Sequence, residues 1–198
     1  MSRILQLNPS QAPAEVGGLF ELVKRKTGAV ANVIRVLGNS PAALKGFLRM
    51  DEALASGALS AGLREQIALA VSEMHGCGYC LSAHTSAGAI AGLNQGEVAA
   101  ARFAAGADKK SQAVLDLVWA IMLEKGQIDD SDIEAARQSG LSDEEIVEVI
   151  ANIALTSFTN HLNQVARTVV DCPEVIPGVV SDEALQSALF SIGYPSPT

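Results

Sequence analysis

An all-α fold is the class this chain predicts, and three observations carry that reading. Apolar residues recur at three- and four-residue intervals along most of the chain, no segment alternates with the two-residue period of a strand, and helix-start signals precede the apolar runs. With 48% apolar, 18% charged and only 4% aromatic residues, the interior has to be built from Ala, Leu, Val and Ile, small side chains that suit close-packed helices. A length of 198 residues suits one domain with a substantial core.

The polar, Pro-containing stretch Met1 to Pro13 predicts a loosely ordered N-terminal arm, ahead of one all-α domain over residues 14–198. Val16, Leu19, Phe20 and Val23 then have helical spacing, and Val30, Val33, Ile34, Val36 and Leu37 form a second short run that ends at Gly38. Ser40-Pro41 is a helix start with proline at the first position, and Leu44, Phe47, Leu48, Ala53 and Leu54 make one stripe before Gly57. Ser60 opens the next helix, in which Leu63, Ile67, Ala70, Val71 and Met74 form the buried stripe and Glu65 lies toward a flank. Gly76 and Gly78 bracket Cys77, so a break is expected there, with a new helix starting and carrying the chain past His84.

Asn94 with Glu97 has the form of a capping pair and predicts a helix through the Ala-rich run to Ala105, stopped by Gly106. Asp108 caps a helix through Glu124, with Val114, Leu115, Leu117, Val118, Ile121 and Met122 inward and Trp119 alongside, ended by Gly126. Ser142 with Glu145 is a capping box for a last helix as far as Val170, with Ile146, Val149, Ile150, Ile153, Leu155, Phe158 and Leu162 inward. Leu59-Ser60 with Glu65-Gln66-Ile67 and Ala70-Val71 is echoed by Leu141-Ser142 with Glu144-Glu145-Ile146 and Val149-Ile150. A degenerate duplication of a helical hairpin is one reading of the echo; the ease with which amphipathic helices imitate one another is the other.

Net charge is −8 and the longest basic run is Lys24, Arg25 and Lys26, the solvated end of a helix, so nucleic acid is not an expected partner. No apolar run is long enough to span a bilayer, and Met1-Ser2-Arg3 is not followed by a signal-peptide core, which makes the cytoplasm the expected compartment. The excess of apolar over charged residues predicts apolar surface buried between subunits, hence a homo-oligomer. Three cysteines, two of them in a motif, is the usage of a reducing compartment in which a pair cycles; Cys172 is expected to be a free thiol.

The motif lies in Arg64 to His84, which holds Cys77, Cys80, His75 and His84, with Glu65 upstream. Cys77 and Cys80 fall about one turn apart on one helix face, where a disulfide can open and close. His84 is one further turn along, within reach of the Cys80 sulfur directly or through a water, and a helix start at Cys77 supplies unpaired N–H groups that favour a thiolate. Such placement can move a thiol pKa from about 8.5 to roughly 3.5–7.5. Reduction of a peroxide needs an attacking thiolate, a proton for the leaving oxygen and a second thiol that converts the sulfenic acid to a disulfide; Cys80, His84 and Cys77 can supply these. Cys77 is nearer the helix N-terminus, the usual place of a low-pKa nucleophile, so the reverse assignment stays open on geometry. Glu65 is preferred to Glu73 as the carboxylate that orients the imidazole, because Glu73 would bring negative charge to Cys77. His75, His161 and Tyr79 carry no decided role, with packing or helix-end positions as their ordinary reading.

Glu65, Cys77-Gly78-Tyr79-Cys80 and Ala83-His84 together resemble the signature of the alkylhydroperoxidase D-like proteins of the carboxymuconolactone decarboxylase superfamily, in its peroxidase-related branch. The likeness is tightest over Leu54 to Leu93 and extends from Ala29 to Val170. It implies an all-helical fold, a trimer or hexamer, and a thiol-dependent peroxidase in which Cys80 attacks hydroperoxide, Cys77 resolves, and Glu65 and His84 relay protons. A lipoyl-type or thioredoxin-type dithiol donor is implied as the reductant. One departure is visible: the family pattern has histidine immediately before the second cysteine, where this chain has Tyr79.

Three other readings compete. Cys77, Cys80 and His84 are zinc-type ligands that Cys172 or His161 could complete, but the second paired knuckle of a structural site is missing, so no metal is expected. A decarboxylase or lactone-acting enzyme has no need of a dithiol. A non-catalytic redox sensor would titrate peroxide without turning it over. No flavin or nucleotide motif is present, and no cofactor is expected.

Overall fold

The structure, a computed structural model, describes residues 1–178, so the expected domain's stretch 179–198 lies outside the described residues. Among the described residues there are nine α-helices and no strand. They are α1 Ala14–Thr27, α2 Asn32–Leu37, α3 Pro41–Ala55, α4 Ala61–Met74, α5 Gly78–Ile90, α6 Gln95–Ala101, α7 Lys109–Leu123, α8 Asp130–Gln138 and α9 Asp143–Ala166.

α4 is the central rod. Its stretch from Gln66 to Ser72 is buried on every face, because α5, α6, α7 and α9 all pack on it. A sequence such as QIALAVS, apolar nearly all round, has no solvent face to offer and takes the middle of the bundle. Ile67, Leu69 and Val71 of α4 share one core with Leu81, Val114, Leu115, Val118 and Val149. A second cluster is built by α1, α2 and α3 around Phe20, Ile34, Leu37 and Leu44. Burying a side chain such as Phe20 or Leu44 completely is worth about 1.5–3 kcal/mol, which holds these short helices against the rest.

The caps act where the sequence places them. Ser40, Ser60, Asn94, Asp108 and Ser142 each accept a hydrogen bond from a backbone N–H of the first turn, and Asn94, Asp108 and Ser142 form reciprocal capping boxes. The helix ends differ from expectation in two places. α6 stops at Ala101 rather than Ala105, and α9 stops at Ala166 rather than Val170 because Arg167 takes the left-handed conformation, φ 49°. α8 was not anticipated; its signal is the capping pair Asp129 and Asp132 with Gly140 beyond the end, attached to a helix of low apolar content.

Met1 to Pro13, expected as a loose arm, is tied to the body. The Arg3 N–H donates to Ala166 O at 2.6 Å, the Leu7 N–H to Arg35 O at 3.2 Å, and Asn39 Nδ2 to Leu5 O at 2.7 Å. Backbone groups paired in this way, and not the polarity of the side chains, order the segment. The echo of α4 in α9 extends to the serine caps and not to a hairpin: α4 breaks at Gly76, whereas α9 continues as one 24-residue helix.

Along α9 the expected inward set holds for Ile146, Val149 and Ile153, with Leu155 and Leu162 half-buried and Leu162 against the second cluster, and it fails at two positions. Ile150 and Phe158 point outward, Phe158 at 41% exposure, and Trp119 of α7 is 37% exposed rather than core. From Asn152 onward the buried positions of α9 are mostly polar: Asn152, Thr156, Thr159, Asn160 and Asn163 are all buried.

Candidate active site

α4 ends at Met74, and Gly76, with φ 63°, reverses the chain so that α5 can start at Gly78. Left-handed φ at this position is what glycine supplies without a Cβ clash. Cys77 thereby becomes the N-cap residue of α5, and Cys80, one turn later, faces the same side; both are buried at 2% exposure. Both are free thiols, and the Cys80 thiol is placed to act as a hydrogen-bond donor toward the Cys77 sulfur.

The two sulfurs are unequal. The hydrogen bond from Cys80 lowers the Cys77 thiol to about 7 against the opposing effect of burial, aided by the N–H groups of Cys80 and Tyr79 and by His84. Cys77 makes no formal capping hydrogen bond, so these amides act as near dipoles at the helix start. Cys80 is pushed up by that same hydrogen bond, by burial and by the charge on Cys77, with Asn163 and Thr159 pulling in the opposite direction. Of the two sulfurs, Cys77 is the one whose surroundings favour the thiolate.

His84, on α5, sets Nδ1 at 2.8 Å from Oε2 of Glu65 on α4. A carboxylate only accepts, so Nδ1 carries the proton and Nε2 is left as the exchanging atom. Both side chains are partly buried, at 28% and 21% exposure, which favours a lasting contact over a solvent-screened one. Among the described residues no hydrogen bond joins His84 to either sulfur, so the direct contact with Cys80 that helix spacing allowed is not made. Glu73 is turned away: it pairs with Arg102 at 2.8 Å, both buried, and accepts the Gly178 N–H.

A cavity of about 170 Å³ opens onto this group between α2, α3, α5 and α9. Val33, Phe47, Tyr79, Ala83 and Leu155 make its apolar walls; Cys80, His84, Thr159 and Asn163 are its polar points, with Asp51 also lining it. Cys80 lines this cavity and Cys77 does not. Asn163 Nδ2 donates to the Cys80 sulfur at 3.2 Å, while its Oδ1 is buried without a partner. An unpaired buried carbonyl of that kind costs about 1–3 kcal/mol.

Tyr79 braces the site. Its hydroxyl donates to Asp171 Oδ1 at 2.8 Å and accepts the Val33 N–H at 3.1 Å, and Asp171 Oδ2 accepts the Asn32 N–H at 2.7 Å. Burial, with the nearby Asp171, raises the phenol well above its ordinary range, so it stays neutral. Residues 169–176 are fastened over the start of α5 by this link, by the Val175 N–H to Ser82 Oγ at 2.8 Å and by Arg102 to Ile176 O at 3.1 Å.

His75 and His161 lie outside the cavity lining and contact each other edge to face at 4.8 Å, with His75 Nε2 at 3.2 Å from Ser157 Oγ. Burial, then His161, lowers the His75 pKa. Cys172 is partly buried and its thiol is raised by burial and by Asp171. Among the described residues no group of three or more His, Cys, Asp or Glu side chains is placed to hold a metal ion, so neither His161 nor Cys172 completes a zinc set with the motif. No described helix is long and apolar enough to cross a membrane. Asn163 and Asp171 escaped the sequence reading: they lie 83 and 92 positions from their partners Cys80 and Tyr79, in stretches without a motif.

Residues 41–121 match the carboxymuconolactone decarboxylase family, a span that includes Glu65, both motif cysteines and His84. Among solved structures, the chain is similar to an uncharacterized peroxidase-related protein with an alkylhydroperoxidase AhpD core from Ralstonia eutropha JMP134, with TM-score 0.77 and 23% identity over 94% of this chain and 96% of that one. A peroxidase-related protein from Silicibacter sp. TM1040 has TM-score 0.71 and 24% identity over 84% and 91%. The debrominase Bmp8, in complex with 2,3,4-tribromopyrrole, has TM-score 0.72 and 22% identity over 85% and 91%. At these identities the likeness is one of fold. No curated protein matches the chain in sequence.

Proposed function

We propose that this chain, which carries a carboxymuconolactone decarboxylase family domain in an AhpD-like helical fold, is a thiol-dependent peroxidase that reduces hydroperoxides through Cys77 and Cys80. The observation that carries the reading is the pairing of a buried dithiol with a cavity that reaches only one of its sulfurs, Cys80.

The cycle follows from the chain's own groups. Proton transfer from Cys80 to Cys77 moves the charge to the sulfur that faces the cavity. Cys80 then attacks the terminal oxygen of ROOH; the O–O bond breaks, sulfur is oxidised to the sulfenic acid, and RO⁻ takes a proton to leave as ROH. His84, held by Glu65 with Nε2 as the exchanging atom, is the proton carrier for that step. Cys77, one turn away, displaces hydroxide from the sulfenic acid and closes the disulfide, with water as the second product. An external dithiol, of lipoyl or thioredoxin type, restores both thiols by exchange. A reducing compartment such as the cytoplasm suits that cycle.

A homo-oligomer, trimer or hexamer, belongs to the same reading. Val147, Ile150, Phe158 and Val165 are exposed at helical spacing along α9, an apolar stripe that a second copy would cover. The test of function is peroxide consumption with a panel of dithiol reductants. Turnover of an organic hydroperoxide with one of them is the expected result; a disulfide that forms once and never turns over makes the protein a sensor, and consumption of a brominated pyrrole in place of hydroperoxide makes it a dehalogenating enzyme.

A further inference from the structure

We infer that Asn163, on α9, is the positioning residue that holds negative charge on Cys80 and so lets the attacking sulfur be the one that faces the cavity. The inference rests on the dithiol reading above and adds to it a group from outside the motif.

The position is an unusual one for an amide. Asn163 is 4% exposed, and among the described residues its side chain makes one hydrogen bond, from Nδ2 to the Cys80 sulfur at 3.2 Å. Its Oδ1 is buried and unpartnered. For packing alone a leucine of similar size would fill the place without leaving a carbonyl desolvated, so what the amide contributes is its donor. Thr159 also acts on Cys80 but does not replace it: its single hydroxyl proton is shared with Thr156 O at 2.9 Å, whereas Asn163 Nδ2 has no other acceptor among the described residues. His84 does not replace it either, since Nδ1 is committed to Glu65 and no hydrogen bond joins the ring to sulfur.

In the resting pair the surroundings favour charge on Cys77, with the proton toward Cys80. Attack requires the reverse: the S–H bond at Cys80 breaks, an S–H bond forms at Cys77, and total charge is unchanged. Cys77 loses the help of the helix-start amides in that exchange, whereas Cys80, buried two positions into the helix, has to find a donor elsewhere. The Asn163 N–H is that donor, and a hydrogen bond to an anion is stronger than one to a neutral thiol, so it favours the reactive arrangement over the resting one.

The test reads the Cys80 thiol by itself. In a Cys77→Ser background the pH dependence of Cys80 alkylation by iodoacetamide gives its titration midpoint, with and without Asn163→Leu. The expected result is a midpoint raised by about one pH unit, a tenfold loss of thiolate below the midpoint, in a protein of unchanged helix content. In the Cys77-intact protein, Asn163→Leu lowers the rate of the first peroxide turnover about tenfold. Asn163→Ala, which removes the donor without filling the space, gives the same shift and serves if the leucine variant does not fold. An unchanged midpoint in a folded variant overturns the inference, as does a larger shift from Thr159→Val than from Asn163→Leu. A wild-type protein that fails to consume hydroperoxide yet shows the Asn163→Leu shift sinks the peroxidase reading and leaves the role of Asn163 standing.

Discussion

His84 Nδ1 and Glu65 Oε2 meet at 2.8 Å across the interface of α5 and α4, and that contact fixes which imidazole nitrogen can move a proton in the cavity. Glu65→Gln keeps the shape and can still accept through its amide oxygen, but it removes the negative charge that steadies the ring when protonated. His84→Ala removes the proposed proton carrier. We expect peroxide turnover to fall about 10²-fold or more in His84→Ala and less in Glu65→Gln, within the usual range of general acid–base effects. Disulfide formation under a strong oxidant should persist in both, measured by thiol titration; its loss would mean that the pair has been displaced rather than deprived of a proton carrier.

The motif cysteines are expected to form the reversible disulfide, with Cys172 left free. Peptide mass spectrometry of alkylated protein before and after mild oxidation should show the loss of two alkylation sites, Cys77 and Cys80. A bridge that includes Cys172 would contradict the assignment.

Single cysteine variants separate the roles. Cys77→Ser should trap a sulfenic acid on Cys80 and then stall or overoxidise, and Cys80→Ser should lose the peroxide reaction, because only Cys80 lines the cavity. Cys77 bears the lower thiol pKa, so alkylating reagents and peroxide need not choose the same sulfur. A trapped adduct on Cys77 in Cys80→Ser, with none on Cys80 in Cys77→Ser, would reverse the assignment.

The pH dependence follows from the lowered Cys77 thiol. A depressed acid pKa means that the anion is present above that value and lost as pH falls through it, so the reduced pair should react with iodoacetamide along a curve centred at about 7. An unperturbed thiol would give a curve centred at about 8.5. Reactivity that climbs only near that higher value would show that the helix start and the Cys80 proton do not act on Cys77 as described.

Tyr79→Phe should destabilise the fold by about 1–2 kcal/mol, the usual cost of leaving a carboxylate and a backbone N–H without their partner. The affected groups are Asp171 Oδ1 and the Val33 N–H. Urea denaturation measures the effect; an unchanged midpoint would mean that the hydroxyl does not fasten residues 169–176 over α5.

Light scattering should give the mass of a trimer or hexamer, and Phe158→Glu on the outward stripe of α9 should lower it. A wild-type monomer at micromolar concentration would leave that stripe needing another partner.

Most of the helices could be read along the chain because their signals are local. Ser60, Asn94, Asp108 and Ser142 satisfy N–H groups two or three residues away, and the break at Gly76 needs only the backbone freedom of one glycine. The Cys77, Cys80 and His84 spacing is likewise a property of one helix, so their shared face was legible, and Glu65 entered through a family pattern. α8 escaped because its inward stripe is short, Ile133 and Ala136, in a stretch of low apolar content. The rest was decided by which helix lies against which. Periodicity finds the apolar positions of α9, yet Ile150 and Phe158 point outward, and beyond Ile153 the buried face is made mostly of asparagine and threonine. Burying polar groups costs free energy that only a partner distant in sequence can return, and sequence periodicity carries no record of such a partner. That is why Asn163 on Cys80 and Asp171 on Tyr79 came from the tertiary structure alone.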